Sequence, residues 1–374
     1  MSRPASLLLT LSTTALLILA ALVTWAAAEL TRPLPIEAPV MIEVMPRDSL
    51  SRVAADLAAR DILPQPRLLT LWGRLSGDAA RLHVGEYRLE PGVDARGLLA
   101  QLVAGGVLRR PFTIVEGWRF RDVREALRVA PRLQQTIGEQ TDEEIMALLA
   151  EPQRAPEGLF FPDTYDYVAG STDLALLRRA RERMREVLAA QWEARAPDLP
   201  LDSPYDALVL ASLIEKETGL PRERQDIAGV FVRRLERGMR LQTDPAVIYG
   251  LGEDFDGNLT RTQLRTPTAW NTYVHRGLPP TPIAMPGLDS IRAALAPAVG
   301  DALYFVARGD GSSEFSATLE AHNAAVRRFQ LQRREDYRST PAPRSTDGEA
   351  LPAPVPDAAN PAADGNAKGG ANGS

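Results

Sequence analysis

Glu215 and Glu217 stand one residue apart at the end of an apolar run, with Lys216 between them. The run, ALVLASLI over 207–214, is broken only by Ser212. Such a stretch predicts a helix buried nearly all round. A carboxyl at the end of a buried helix is desolvated, and desolvation favours its protonated form. A general acid that protonates a poor leaving group needs that property near neutral pH. A neighbouring cation works the other way, so an acid at Glu215 requires Lys216 to point elsewhere. At roughly 100° per residue the two glutamates face nearly opposite sides, so one groove can take only one of them. Glu215 continues the line of Leu208 and Ala211, and Glu217 that of Leu210, Leu213 and Ile214. Glu215 is the candidate acid, and Glu217 and Lys216 read individually as a solvated helix end. Lys216 and Lys368 are the only lysines among 43 Lys and Arg residues, so the use of lysine here is unusual.

Composition bounds what surrounds this cluster. Hydrophobic content of 45% and charged content of 24% suit a globular core. Net charge is −5 with no long basic run, which argues against a nucleic-acid partner. No cysteine is present, and His83, His275 and His322 are far apart in sequence. No metal site and no cofactor are therefore expected. Residues 7–28 carry no charge and are long enough to span a bilayer as a helix. Ala26-Ala27-Ala28 also resembles a signal-peptide cleavage site, but the apolar stretch is longer than a typical signal core. The expectation is an uncleaved anchor over 7–28, a short cytoplasmic N-terminus over 1–6, and an exported remainder.

The elements that must position the cluster follow along the chain. Residues 29–39 form a Pro-containing linker. Strand, helix, helix and strand follow near 40–45, 49–60, 67–75 and 84–89, a small α+β module that extends to about 109 with a further helix capped by Asp94. A connecting segment over 110–150 holds a strand near 112–115 and helices from about 121 and 142. A larger α+β domain is expected over 151–338. It opens on Glu157-Gly158-Leu159-Phe160-Phe161-Pro162-Asp163-Thr164-Tyr165, dense in aromatics for a chain with 6% of them. Helices near 173–195 and 223–237 flank the buried helix, which Asp202-Ser203-Pro204 begins. A hairpin near 304–316 and a last helix from about 318 close the domain. Residues 339–374, rich in Pro, Ala, Asp, Gly and Asn, predict a disordered tail.

Several segments together resemble the YceG-like family of endolytic murein transglycosylases: EGW (116–118), EGLFFPDTYDY (157–167), LASLIEKETG (210–219), VFVRRLERGMRLQTDPAVIYGLG (230–252), NTYVHRGLPPTPIAMPG (271–287) and YFVARGDGSSEFSATLEAHN (304–323). Each is weak alone; six in order are specific. The resemblance implies an N-terminal anchor, a LysM-like subdomain over 40–109 and a catalytic α+β domain. It implies that Glu215, the first glutamate of EKET, is the catalytic acid. It further implies cleavage between N-acetylmuramic acid and N-acetylglucosamine within nascent peptidoglycan strands, with a 1,6-anhydro end that terminates elongation. The location implied is the bacterial inner membrane, with the catalytic domain outside the cytoplasm and peptidoglycan synthases as possible partners. Many relatives carry a histidine where this chain has Ser313, so no role is carried over to that position.

One glutamate suffices for such a reaction. The sugar's own C6 hydroxyl is the nucleophile, and an intramolecular attack is largely free of the entropic cost of bringing reactants together. Hydrolases instead place a second carboxylate to direct water or to attack. Around the acid, Gln242, Asn271 and Tyr273 suit hydrogen bonds to acetamido and hydroxyl groups of sugars. Asp244 with Pro245 reads as a helix N-cap and first-turn pair. Phe160, Phe161 and Tyr165 read as core rather than as a sugar platform, Glu157 as a turn brace, and His275 and His322 as structural or exposed. Two alternatives stay open: a non-catalytic peptidoglycan-binding scaffold, and a conventional hydrolase with a second carboxylate.

Overall fold

The computed structural model describes residues 3–331, with side chains from 11 to 330. The tail expected over 339–374 lies outside the described residues. Helix α1 covers Arg3–Leu30. Its stretch Leu11–Leu30 is long and apolar enough to cross a membrane, by length and composition.

A first core gathers around strands β1 (Val40–Val44) and β2 (Gly85–Leu89) and helices α2 (Leu50–Ala59), α3 (Pro66–Ser76) and α4 (Ala95–Ala104). The strand-helix-helix-strand order matches the one read from sequence. Ser49 caps α2 by accepting from the Arg52 N–H, and Asp94 caps α4 by accepting from Gly97. The strands pair antiparallel, with Ile42 opposite Tyr87. Alternation puts Ile42, Val44, Tyr87 and Leu89 inside with Leu57, Leu69, Leu98 and Leu102. Leu30, the last residue of α1, is buried in the same core.

The second core runs from Phe112 to Leu295 in sequence. Strand β3 (Arg109–Thr113) pairs antiparallel with β4 (Thr164–Val168). This pairing joins the expected connecting segment to the following domain, so the two share one interior. Helices α5 (Phe120–Val129) and α6 (Asp142–Leu148) lie between these strands in sequence. Helix α7 (Asp173–Glu193) precedes the central helix α8 (Pro204–Glu217). Helices α9 (Arg224–Glu236), α10 (Asp244–Leu251) and α11 (Leu288–Leu295) follow. The chain then forms hairpin β5–β6 (Tyr304–Ala307, Ser313–Ser316) and α12 (Leu319–Val326). Helix α8 packs against α7, α9, α10 and α11. That explains why 207–214 has no polar face. Phe160, Phe161 and Tyr165 are all buried, so the aromatic segment is core.

An electrostatic clasp joins the two cores. Glu43 and Glu86 face each other across β1 and β2. Like charges in that position are destabilising. Arg132, in a left-handed conformation at φ 61°, bridges both carboxylates, and Arg110 adds a second bridge to Glu86. Arg132→Ala leaves the two carboxylates facing each other with one partner fewer. We expect a loss of about 1–2 kcal/mol, read from urea denaturation, and a smaller loss in high salt, where the repulsion between the glutamates is screened.

Candidate active site

Helix α8 starts on a Ser203 cap that accepts from Asp206 N–H, with Pro204 in the first turn. Its buried Ser212 hydroxyl donates to Val209 O at 2.7 Å and accepts from Ile283 N–H at 3.0 Å, so burial leaves it satisfied. At the last turn the packing ends, and Glu215, Lys216 and Glu217 project in three directions.

Glu215 enters an ion cluster. Its side chain is only 6% exposed, and Arg224 Nη2 lies 3.3 Å from its Oε1. The Gly287 N–H donates to its Oε2 at 3.0 Å. The same Arg224 nitrogen is 3.7 Å from Glu116, and Nη1 is 3.5 Å from Asp289. Glu116 occupies the space beside Gly287, where an added Cβ would meet its Oε1 at 1.9 Å, so a side chain at 287 would have to displace the Glu116 carboxylate. Burial raises the Glu116 pKa above the usual carboxylate range; the charges of Glu215 and Asp289 add to this and Arg224 opposes it. Lys216 turns away, donating from Nζ to Gly117 O at 3.2 Å.

Glu217 lies on the other side among different residues. Thr243, Asp244 and Arg234 surround its carboxyl, and burial pushes its pKa from 4.5 up to about 7. The charge of Asp244 pushes it further up, while Thr243 and Arg234 act against the rise. The residue as a whole keeps some solvent contact. The Thr243 hydroxyl lies against it without a well-formed hydrogen bond. Arg234 is held in place by bonds from its Nε and Nη1 groups to the carbonyls of Leu303, Arg240 and Leu241.

Two loops complete this side. Tyr273 donates from its hydroxyl to Asp244 Oδ1 at 2.6 Å. Burial and Asp244 raise its own pKa, so it remains a hydrogen-bond donor. Gln242 is exposed, in a left-handed conformation at φ 53°. Its N–H donates to Thr272 O at 3.1 Å, and the Thr243 N–H donates to Thr272 Oγ1 at 3.0 Å. Loop 242–244 is thus fastened to loop 271–273.

The structure changes several sequence expectations. Glu215, the expected acid, is buried beside Arg224, while burial raises the pKa of Glu217, which was expected in solvent. Glu217 is not a solvated helix end. Gln242 and Tyr273 converge on the Glu217 side. Asn271 does not offer a sugar contact: it is fully buried, and its amide donates to Gln263 O, Leu264 O and Thr266 O. Asp244 is the first helical residue of α10, with Thr243 at the cap position. His275 is exposed, and His322 stacks on Tyr304 at 5.2 Å between ring centroids. Sequence reasoning missed Arg224, Glu116 and Asp289, which come from three other segments. The signal for Glu217 was present in its alignment with Leu210, Leu213 and Ile214. Among the described residues no group of three or more His, Cys, Asp or Glu is arranged to hold a metal ion.

These observations describe a mixed α+β protein whose central helix delivers two differently housed carboxyls to its surface. Residues 42–328 match the YceG-like family. The chain belongs to that family. It is 29% identical over 307 residues to the endolytic murein transglycosylase of Bacillus subtilis strain 168, covering 78% of this chain and 84% of that protein. It is 30% identical over 177 residues to the endolytic murein transglycosylase of Streptococcus pneumoniae D39, covering 46% of this chain and 31% of that protein. A crystal structure of a YceG-like protein from Listeria monocytogenes superposes with a TM-score of 0.48 at 27% identity, covering 77% of this chain and 99% of that one.

A second enclosed carboxyl lies outside the site. Glu157 accepts from the Phe120 N–H at 3.0 Å, and burial pushes its pKa from 4.5 up to about 7. The folded state therefore holds this proton more tightly than the unfolded chain. The sign follows from linkage: between about pH 4.5 and 7 the native state binds more protons, so stability falls as pH rises, with no such penalty below that window. Glu157→Gln should remove the effect. Relative to the parent it should gain up to about 3 kcal/mol between pH 4.5 and 8, measured as a shift of urea midpoints at the two ends.

Proposed function

We propose that this chain is a membrane-anchored lytic endotransglycosylase of peptidoglycan, with Glu217 as its acid and base. The observation that carries the reading is the enclosed Glu217 carboxyl, set beside Asp244, Tyr273 and Gln242. The names of the Bacillus and Streptococcus relatives support the substrate class. Helix α1 would hold the protein in the inner membrane, with the rest outside the cytoplasm. Residues 40–109 would be a LysM-like module, and synthases of the same polymer would be its partners.

The chemistry balances on one carboxyl. Protonated Glu217 gives its proton to the glycosidic oxygen as the bond from C1 of N-acetylmuramic acid breaks. The C6 hydroxyl of that same sugar attacks C1, and its proton passes to the Glu217 carboxylate. The product is a 1,6-anhydro ring, and the enzyme ends in its starting state. Asp244 assists both halves: its charge favours the protonated acid before the cut and makes the carboxylate a stronger base after it. Gln242 and Tyr273 offer hydrogen bonds to acetamido and hydroxyl groups. Glu215 serves as a positioning residue, tying the end of α8 to α9 through Arg224 and to α11 through Gly287 N–H.

Mass spectrometry of murein digests tests this directly, because anhydro products lack one water relative to hydrolytic ones. Glu217→Gln should lower anhydro product formation by at least about 100-fold. Glu215→Gln should keep the product type while losing about 2–4 kcal/mol of stability, since it leaves buried Arg224 short of a partner. An active Glu217→Gln beside a well-folded but inactive Glu215→Gln would reverse the assignment. Murein binding without any product would favour the scaffold reading instead. For the active enzyme, kcat/KM should fall as pH rises through about 7, the value of Glu217 in the free protein; a flat profile to pH 9 would remove Glu217 as the acid.

A further inference from the structure

Helix α3 shows a face that its own module does not use. Leu71 is 55% exposed, Leu75 76% and Trp72 36%, although α2 and α4 cover the opposite side through Leu69 and Gly73. The spacing puts Leu68, Leu71, Trp72 and Leu75 on one stripe. Exposed Arg67 and Arg74 border it, and the Arg96 guanidinium lies 4.7 Å over the Trp72 ring. Apolar residues, an indole and arginines on one short helix are the composition of a segment that lies in a bilayer interface.

The position of α3 singles out the occupant. Helix α3 packs against α1. Leu30, Arg32, Gln65 and Leu68 line one groove between them. Ala26 and Ala27, in the last turns of the apolar stretch, are partly covered while Trp25 is 52% exposed. The start of the α3 stripe thus meets the place where the apolar stretch ends. Over seven residues the stripe extends roughly 10 Å, a length comparable to the depth of the interfacial layer such helices occupy.

We propose that α3 docks by Leu71, Trp72 and Leu75 into the outer surface of the membrane that α1 spans, with Arg67 and Arg74 among anionic headgroups. The proposal rests on the reading of α1 as an uncleaved anchor. Docking would hold the small module flat against the membrane. The cut would then be made at a fixed height above the bilayer, close to where strands emerge.

Tryptophan quenching in vesicles tests it with the full chain. The protein is reconstituted in phosphatidylglycerol–phosphatidylcholine vesicles whose acyl chains carry bromine either near the headgroup or near the chain end. Trp25→Phe, compared with Trp25→Phe/Trp72→Phe, isolates the Trp72 emission; Trp72→Phe alone keeps Trp25 as a reporter of the anchor. The expected result is a blue-shifted Trp72 signal, quenched more by bromine near the headgroup than by bromine near the chain end. Leu71→Asp/Leu75→Asp in the Trp25→Phe background should lose the shift and the quenching. The same pair of substitutions in the Trp72→Phe background should leave Trp25 quenched. An unquenched Trp72 beside a quenched Trp25 overturns the proposal and makes α3 a face for another protein. An unquenched Trp25 removes the anchor, and the proposal with it.

Discussion

The burial of α8 is the constraint on which the rest depends. Residues 207–214 are enclosed on every side, so the helix cannot place a charged side chain until its last turn. There two glutamates emerge two residues apart. A rotation of roughly 200° separates them, so each meets a different set of neighbours. On one side Arg224 and the Gly287 N–H receive Glu215; on the other, Glu217 meets Thr243, the like charge of Asp244 and the opposite charge of Arg234. Two like groups two residues apart thereby meet different surroundings. Environments that differ in this way are how proteins separate proton-holding groups from charge-holding ones.

Precision on the Glu217 side comes from loops, which need internal fastening to hold a site still. Thr272 provides it, exchanging hydrogen bonds with Thr243 through its hydroxyl and receiving the Gln242 N–H at its carbonyl. The left-handed backbone at Gln242 costs energy for a residue with a Cβ. That cost is offset by the fastening and turns the Gln242 amide outward. Asn271 works from beneath: it is buried, its amide holds three carbonyls, and its Oδ1 accepts from the Tyr273 N–H at 3.0 Å, which fixes the start of the Tyr273 side chain.

Much of the fold was legible because local rules sufficed. Ser49, Asp94 and Ser203 announce their helices by capping, and 207–214 announces burial by composition. The site was less legible for a physical reason. Desolvation of a carboxyl depends on what approaches it, and Arg224, Gly287 and Asp244 approach from segments whose placement no spacing rule gives. The helical phase of Glu217 did point into the line of buried Leu210, Leu213 and Ile214. The pairing of β3 with β4, which merges the connecting segment with the domain after it, is likewise a long-range fact. Asn271 failed as a sugar contact because an amide suits a carbonyl of the protein as well as one of a sugar, and only burial separates the two uses.

Ser313 connects the last hairpin to the helix that carries Arg224. Its N–H donates to Glu223 Oε1 at 3.0 Å, joining hairpin β5–β6 to the turn that leads into α9. The bond is made by backbone, so it does not depend on the side chain at 313. Glu223 directly precedes Arg224, and the join therefore braces the Glu215 side of α8 rather than the Glu217 side. The second oxygen of Glu223 is buried with no hydrogen bond from the protein. A longer donor at 313 has an acceptor within the same turn, and serine leaves that acceptor unused. On this geometry the segment at 313 bears on how firmly α9 is held, and through Arg224 on the end of α8. The raised pKa of Glu217 comes first from burial and then from Asp244, against Thr243 and Arg234; of these, only Arg234 lies on α9, the helix that follows Glu223.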